Sequence, residues 1–296
     1  MSQQSKELEA FYQKAWDKRK LLAEQFVKLG VTDPYQLIQK MNVFEGKYVI
    51  DIEEKTGEAK FIEVTYPGEE HFFPTGKPFY RYVHLGEQLF AQPYYDNVPS
   101  FLLDFLDGKN FDAIVELGSG PGQNLVELFY RGGPQNIPYY AAEFTESGVA
   151  LANYIASLKP EMPLSAFHFD YKKPDLTPVK ERKNILIFTS HSIEQVSEIS
   201  EDLFDYLSSF AERVTCIHFE PFGFQLIPEE QREDVSKLQA LVAEKKKWNI
   251  NLAPTLMEAN KKGILHLSFI GKNVMGKEMG NPTSVAIWEA RRSKTV

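Results

Sequence analysis

From Phe111 onward, short apolar runs alternate with amphipathic stretches, and this alternation limits the fold more than any other feature. Residues 111–117 predict a strand, and residues 124–131 predict the helix that follows it. The same pair recurs as a strand at 139–142 and a helix at 147–158. Three more strands are expected at 165–169, 184–188 and 214–219, with a helix over 194–210 filling the last gap. Strands this short, and apolar on both faces, belong in a parallel sheet covered on each side by helices. Residues 229–247 and 253–262 again read as helical. At the end, 264–270 and 283–291 alternate around Gly271, Gly276 and Gly280, which predicts an antiparallel pair added to the sheet edge.

The region before that alternation is built differently. Leu8, Phe11, Tyr12, Trp16, Leu21, Leu22, Phe26 and Val27 recur at helical spacing, so residues 5–29 predict an amphipathic helix closed by Gly30. Thr32, Asp33 and Pro34 start a shorter helix through Met41. Residues 48–52 and 59–64 flank Lys55, Thr56, Gly57 and Glu58 as a β-hairpin. Residues 66–98 read as irregular and rich in aromatics, a composition suited to a pocket wall or lid. Tyr80, Tyr82, His84, Tyr94 and Tyr95 are its candidate substrate-binding residues. The chain therefore divides into an N-terminal helix and β-hairpin extension, 1–98, a candidate substrate lid, and a sheet domain, 99–296.

Composition narrows the partners. A formal charge of −8 over 296 residues argues against binding a phosphate backbone as the main task. Cys216 is the single cysteine, which excludes a disulfide framework or a cysteine-built zinc site within one chain. No His-rich cluster has metal-ligand spacing, so no metal is expected. The N-terminus lacks the apolar centre of a signal peptide, and no apolar run reaches the ~18 residues of a membrane span. A soluble, cytoplasmic protein with no membrane partner is the expectation, and the N-terminal helix is a candidate surface for a homodimer.

The chemistry points to Glu116-Leu117-Gly118-Ser119-Gly120-Pro121-Gly122-Gln123-Asn124, where the first parallel strand turns into its helix. Glycines there let backbone pass against a ligand, and the helix N-terminus offers free N–H groups. A dinucleotide fingerprint needs a sixth-position glycine where Gln123 stands, and the Gly-Lys-Ser/Thr of a phosphate loop is absent. What remains is Glu-x-Gly-x-Gly-x-Gly. That segment resembles the first motif of the class I S-adenosylmethionine-dependent methyltransferases, and the resemblance extends over roughly residues 100–295.

The resemblance implies an α/β, Rossmann-like fold: seven mostly parallel strands, helices on both faces and an antiparallel last strand. It also implies S-adenosylmethionine as cofactor, held by Glu116, Gly118, Ser119, Gly120, Gly122 and Asn124. Glu143, ending the second strand, is where the family accepts the ribose hydroxyls, with Phe144 beside it. Asp170 and Tyr171 match the positions that receive the adenine amino group and pack on its ring. Ser190 belongs to the fourth strand's end, near the sulfonium.

For the methyl acceptor, His191, Glu194 and Glu220 lie at the strand tops. An imidazole near neutral pH can take a proton, and two carboxylates can hold an amine or guanidinium. Ser192 also reads as a cap for the next helix, and His168 and Cys216 read as core. No Asn/Asp-Pro-Pro-Tyr/Phe motif is present, which disfavours a base-nitrogen target in DNA. The expected activity is methyl transfer to nitrogen or oxygen of a small polar molecule or a peptide side chain. The alternatives are a methyltransferase-fold binding or regulatory protein without activity, or an RNA methyltransferase, which the acidic charge disfavours.

Overall fold

A computed structural model describes residues 3–45, 48–52, 59–63, 79–85, 88–94, 97–275 and 281–292. The chain opens with α1 (Gln3–Lys28) and α2 (Pro34–Glu45), and Asp33 accepts the Gln36 N–H at the start of α2. β1 (Tyr48–Ile52) and β2 (Ala59–Glu63) form the expected antiparallel pair, while its turn lies outside the described residues. The 66–98 stretch is not wholly irregular. β3 (Phe79–Leu85) and β4 (Gln88–Tyr94) pair antiparallel, with Tyr80 opposite Pro93. An alternating run of aromatic residues favours a strand, and proline is tolerated because a two-stranded pair consists only of edges.

The sheet domain follows: α3 (Val98–Leu106), β5 (Ala113–Leu117), α4 (Gln123–Tyr130), β6 (Tyr139–Glu143), α5 (Glu146–Ser157) and β7 (Leu164–His168). Then come β8 (Asn184–Ser190), α6 (Glu201–Ser209), β9 (Arg213–Glu220), α7 (Asp234–Lys246), α8 (Leu252–Lys261), β10 (His266–Met275) and β11 (Thr283–Arg291). Among the described residues the strands form a seven-stranded sheet in the order β10-β11-β9-β8-β5-β6-β7. The strands from β5 to β9 pair parallel, and β11 runs antiparallel between β9 and β10. The architecture is the Rossmann-like one. Its order reverses at β5, which has β6 on one side and β8 on the other, and ligands bind outside the strand ends at such a point.

Period-two alternation explains the two buried layers. Ala113, Val115 and Leu117 pack with α6 and α8 residues such as Phe204 and Leu256. Ile114 points the other way, into a layer shared with Leu102, Leu125 and Ile155. Trp16, Leu22, Leu37 and Met41 belong to that same layer, so α1 and α2 share a core with the sheet. Each such side chain, fully buried, contributes roughly 1.5–3 kcal/mol.

Three local expectations are corrected. The 194–210 helix is interrupted: a single 3₁₀ turn, Ile193–Gln195, precedes an extended segment, and α6 begins only at Glu201. Asn251 holds that segment by bonding both the N–H and the carbonyl of Ile199, and Ser200 then caps α6. Likewise α7 starts at Asp234, after a separate turn at Glu229–Gln231. His168 is exposed rather than core, because β7 is the sheet's edge strand; Cys216 is buried as expected. No described helix is long and apolar enough to cross a membrane.

Candidate functional site

β5 delivers the chain to the glycine loop at the reversal point. Gly118, Gly120 and Gly122 take φ values of +69°, +53° and +76°, a left-handed conformation that side chains disfavour. The N–H groups of Gly118 and Ser119 both donate to the Ala142 carbonyl, which ties the loop to β6. The space beside these glycines is partly filled by the chain itself. A Cβ on Gly118 would stand 2.3 Å from Cβ of Ser192, and one on Gly120 would stand 2.9 Å from the Trp16 ring. Around Gly122 the contacts, with Ala141 and Leu164, are ordinary. The expectation that these glycines leave bare backbone for a ligand is therefore too simple.

Two buried acids flank the loop. Glu143, at the end of β6, accepts the Gly120 N–H through Oε2 at 2.9 Å. Its Oε1 accepts from the Thr145 N–H and hydroxyl, so the acid is fixed beside the loop. Glu116 is 1% exposed, and its Oε1 accepts from Asn124 Nδ2 at 2.6 Å. Its Oε2 has no hydrogen-bond partner among the described residues. Burial pushes the Glu116 carboxyl up to about 8; the Asn124 hydrogen bond opposes this and the charge of Glu143 adds to it.

These groups meet at a cavity of about 440 Å³. Glu116, Gly118, Ser119, Gly120, Asn124, Glu143, Phe144, Asp170, Tyr171, Ser190 and His191 all line it. Asp170 accepts the Lys172 N–H, and Tyr171 OH and Ser192 Oγ, 2.7 Å apart, both reach the Leu117 carbonyl at 2.8 Å. Ser192 thus braces the loop rather than capping a helix. The extension expected as a lid supplies a wall whose residues the sequence did not single out as site residues: α1 contributes Leu8, Tyr12, Trp16 and Arg19, and α2 adds Asn42 and Glu45. The signal was the three- and four-residue spacing of the α1 positions, which by itself indicates only a buried helix face.

The acceptor candidates separate. His191 lines the cavity with a φ of +49°; its Nδ1 lies 3.0 Å from Glu194 Oε2 and its Nε2 lies 2.7 Å from Thr283 Oγ1. Beside a carboxylate, Nδ1 carries the proton and Nε2 accepts from the threonine hydroxyl whenever the ring is neutral. Glu194 and Glu220 sit behind the wall. Glu220 accepts the backbone N–H groups of Ser192, Ile193 and Glu194, and so holds the turn that carries His191. Burial, followed by the charge of Glu194, pushes Glu220 up to about 7 against the pull of His191. Tyr80, Tyr82, His84 and Tyr94 are placed by backbone register in β3 and β4, and Tyr95 lies outside the described residues.

No protein-family model matches the chain, and no curated protein matches it. Several solved structures are similar to it. One is a geranyl diphosphate methyltransferase in complex with geranyl diphosphate and sinefungin: 14% identity, TM-score 0.44, covering 66% of this chain and 76% of that one. Another is the geranyl diphosphate C-methyltransferase of Streptomyces coelicolor A3(2), with 17% identity, TM-score 0.44 and coverage of 65% and 78%. A third is the magnesium protoporphyrin IX methyltransferase of Synechocystis PCC 6803 with bound S-adenosylhomocysteine, with 14% identity, TM-score 0.44 and coverage of 66% and 82%.

Proposed function

We propose that the chain is a class I S-adenosylmethionine-dependent methyltransferase that methylates a nitrogen or oxygen of a small polar molecule or a peptide side chain. The observation that carries this reading is the unpartnered Oε2 of Glu116, buried in the cavity wall at the reversal point of the sheet. A buried acceptor without a partner is costly, and it fits a ligand that brings a cation or an N–H donor. S-adenosylmethionine, when bound, supplies an electrophilic methyl group on a sulfonium. Glu116 and Asn124 would meet its ammonium end, and Glu143 its ribose hydroxyls. Asp170, Tyr171 and Phe144 would surround the adenine, with Ser119 and Ser190 along the chain between.

What the chain contributes to transfer is alignment and exclusion of water, because in-line displacement needs little else. α1 lines the cavity, and Glu220 holds the turn that carries His191. Where the acceptor must lose a proton, Nε2 of His191 would take it by exchanging the Thr283 hydroxyl for the acceptor, and Glu194 would steady the imidazolium. S-adenosylhomocysteine is expected to bind with a micromolar Kd by titration calorimetry, and labelled cofactor should transfer methyl to a component of cell extract. Folded protein that gives no binding heat refutes the cofactor reading. Binding without transfer favours the non-catalytic one.

A further inference from the structure

We propose that the indole N–H of Trp16, with the guanidinium of Arg19, is the binding point for an anionic end of the ligand, a carboxylate. The N-terminal helix is then part of the first ligand's site and not only a cover for the acceptor. The inference rests on the cofactor reading above and names the part of that molecule that α1 receives.

Trp16 is 9% exposed, it lines the cavity, and its Nε1 has no hydrogen-bond partner among the described residues. The ring atoms that would meet a Cβ on Gly120 are Cζ2 and Cη2, both at 2.9 Å. Cζ2 is two bonds from Nε1, so the unpartnered donor lies at the end of the indole that approaches the glycine loop. An indole nitrogen can only donate, so whatever satisfies it must be an acceptor. Arg19, one turn along α1, places its guanidinium carbon 4.7 Å from the Trp16 ring centroid. Its Nε is held 2.6 Å from Glu45 Oε1, which leaves the fork of the guanidinium on a cavity-lining residue. A neutral donor in the indole plane and a cation over the indole face, both on cavity-lining residues, suit a carboxylate, since hydrogen bonds to a charged partner are the stronger kind.

The cavity is then lined by groups suited to both charges of one ligand. Glu116 would take the cationic group of an amino-acid tail, and Arg19 with Trp16 its carboxylate. The Trp16–Tyr12 stack, 6.1 Å between centroids and 21° between planes, keeps the indole from rotating away.

The test compares S-adenosylhomocysteine with 5′-methylthioadenosine, which lacks the amino-acid tail. Trp16→Phe removes the N–H together with the benzo-ring atoms beside Gly120, so the 5′-methylthioadenosine arm controls for the lost packing on the loop, and the variant's fold is checked by circular dichroism. The variant should bind S-adenosylhomocysteine about tenfold more weakly, while its affinity for 5′-methylthioadenosine changes less than twofold. Arg19→Gln should show the same selective loss. Unchanged affinity for S-adenosylhomocysteine in Trp16→Phe, or equal losses for both probes, overturns the assignment. Wild-type protein that binds neither probe defeats the cofactor reading itself, a different pattern from tight wild-type binding that the variants leave intact.

Discussion

Gly118→Val should lower the thermal midpoint by roughly 6–12 °C, corresponding to about 3 kcal/mol in a chain of this size. Two costs combine. A β-branched residue at φ +69° is held in a conformation costing on the order of 1–3 kcal/mol. Its Cβ would also stand 2.3 Å from Cβ and 2.8 Å from Oγ of Ser192, and such overpacking costs about 1–3 kcal/mol. Ser192 cannot simply retreat, because its hydroxyl is bonded to the Leu117 carbonyl and lies against Tyr171 OH. The two costs can be separated. In a Ser192→Gly background the steric part disappears, so Gly118→Ala should cost markedly less there than in the wild type. Equal costs in both backgrounds, read by thermal unfolding, would show that backbone strain alone makes Gly118 necessary.

That pair also shows where sequence reading reaches and where it stops. Two-sided apolar strands such as 113–117 state their environment locally, so the sheet and the position of the glycine loop were legible. The acids Glu116 and Glu143 were legible for the same reason, since each ends or precedes a strand end in register with the loop. What fills the space beside a glycine is a long-range fact. Ser192 and Trp16 are 74 and 104 residues from their glycines, and no local pattern marks either one. The break between Gln195 and Glu201 was hidden because Asn251, more than fifty residues later, supplies the bonds that hold the extended segment. Glu220 read as an acceptor ligand because its position at a strand top is visible; that its oxygens face backbone N–H groups is not. His218 escaped notice entirely. It is a neutral core histidine, pushed down to about 3 by burial, that accepts from the Trp288 indole and bonds Thr189.

Glu116→Gln should make the ligand-free protein more stable at pH 9 by a few kcal/mol and leave it nearly unchanged at pH 5. The folded carboxyl titrates at about 8, whereas the unfolded one titrates near its ordinary 4.5. Between those values the native state holds a proton that the unfolded chain has released, so wild-type stability falls as pH rises through that window. Below it both states are protonated, above it both are ionised, and the slope vanishes. At about 1.4 kcal/mol per pKa unit, a displacement of this size is worth a few kcal/mol across the window. Glutamine keeps the shape of the neutral acid and can still accept from Asn124, so it removes the slope without opening a hole. The same substitution removes the negative charge that a cationic ligand would draw out of Glu116. The variant should therefore bind S-adenosylhomocysteine more weakly, and the proton release that accompanies wild-type binding at pH 7 should be lost. That release is read from the dependence of binding heat on the buffer's ionisation enthalpy. Urea unfolding of both proteins at pH 5, 7 and 9 completes the measurement, and parallel pH profiles would mean that Glu116 is already ionised in the folded chain and that Oε2 has no charge left to gain.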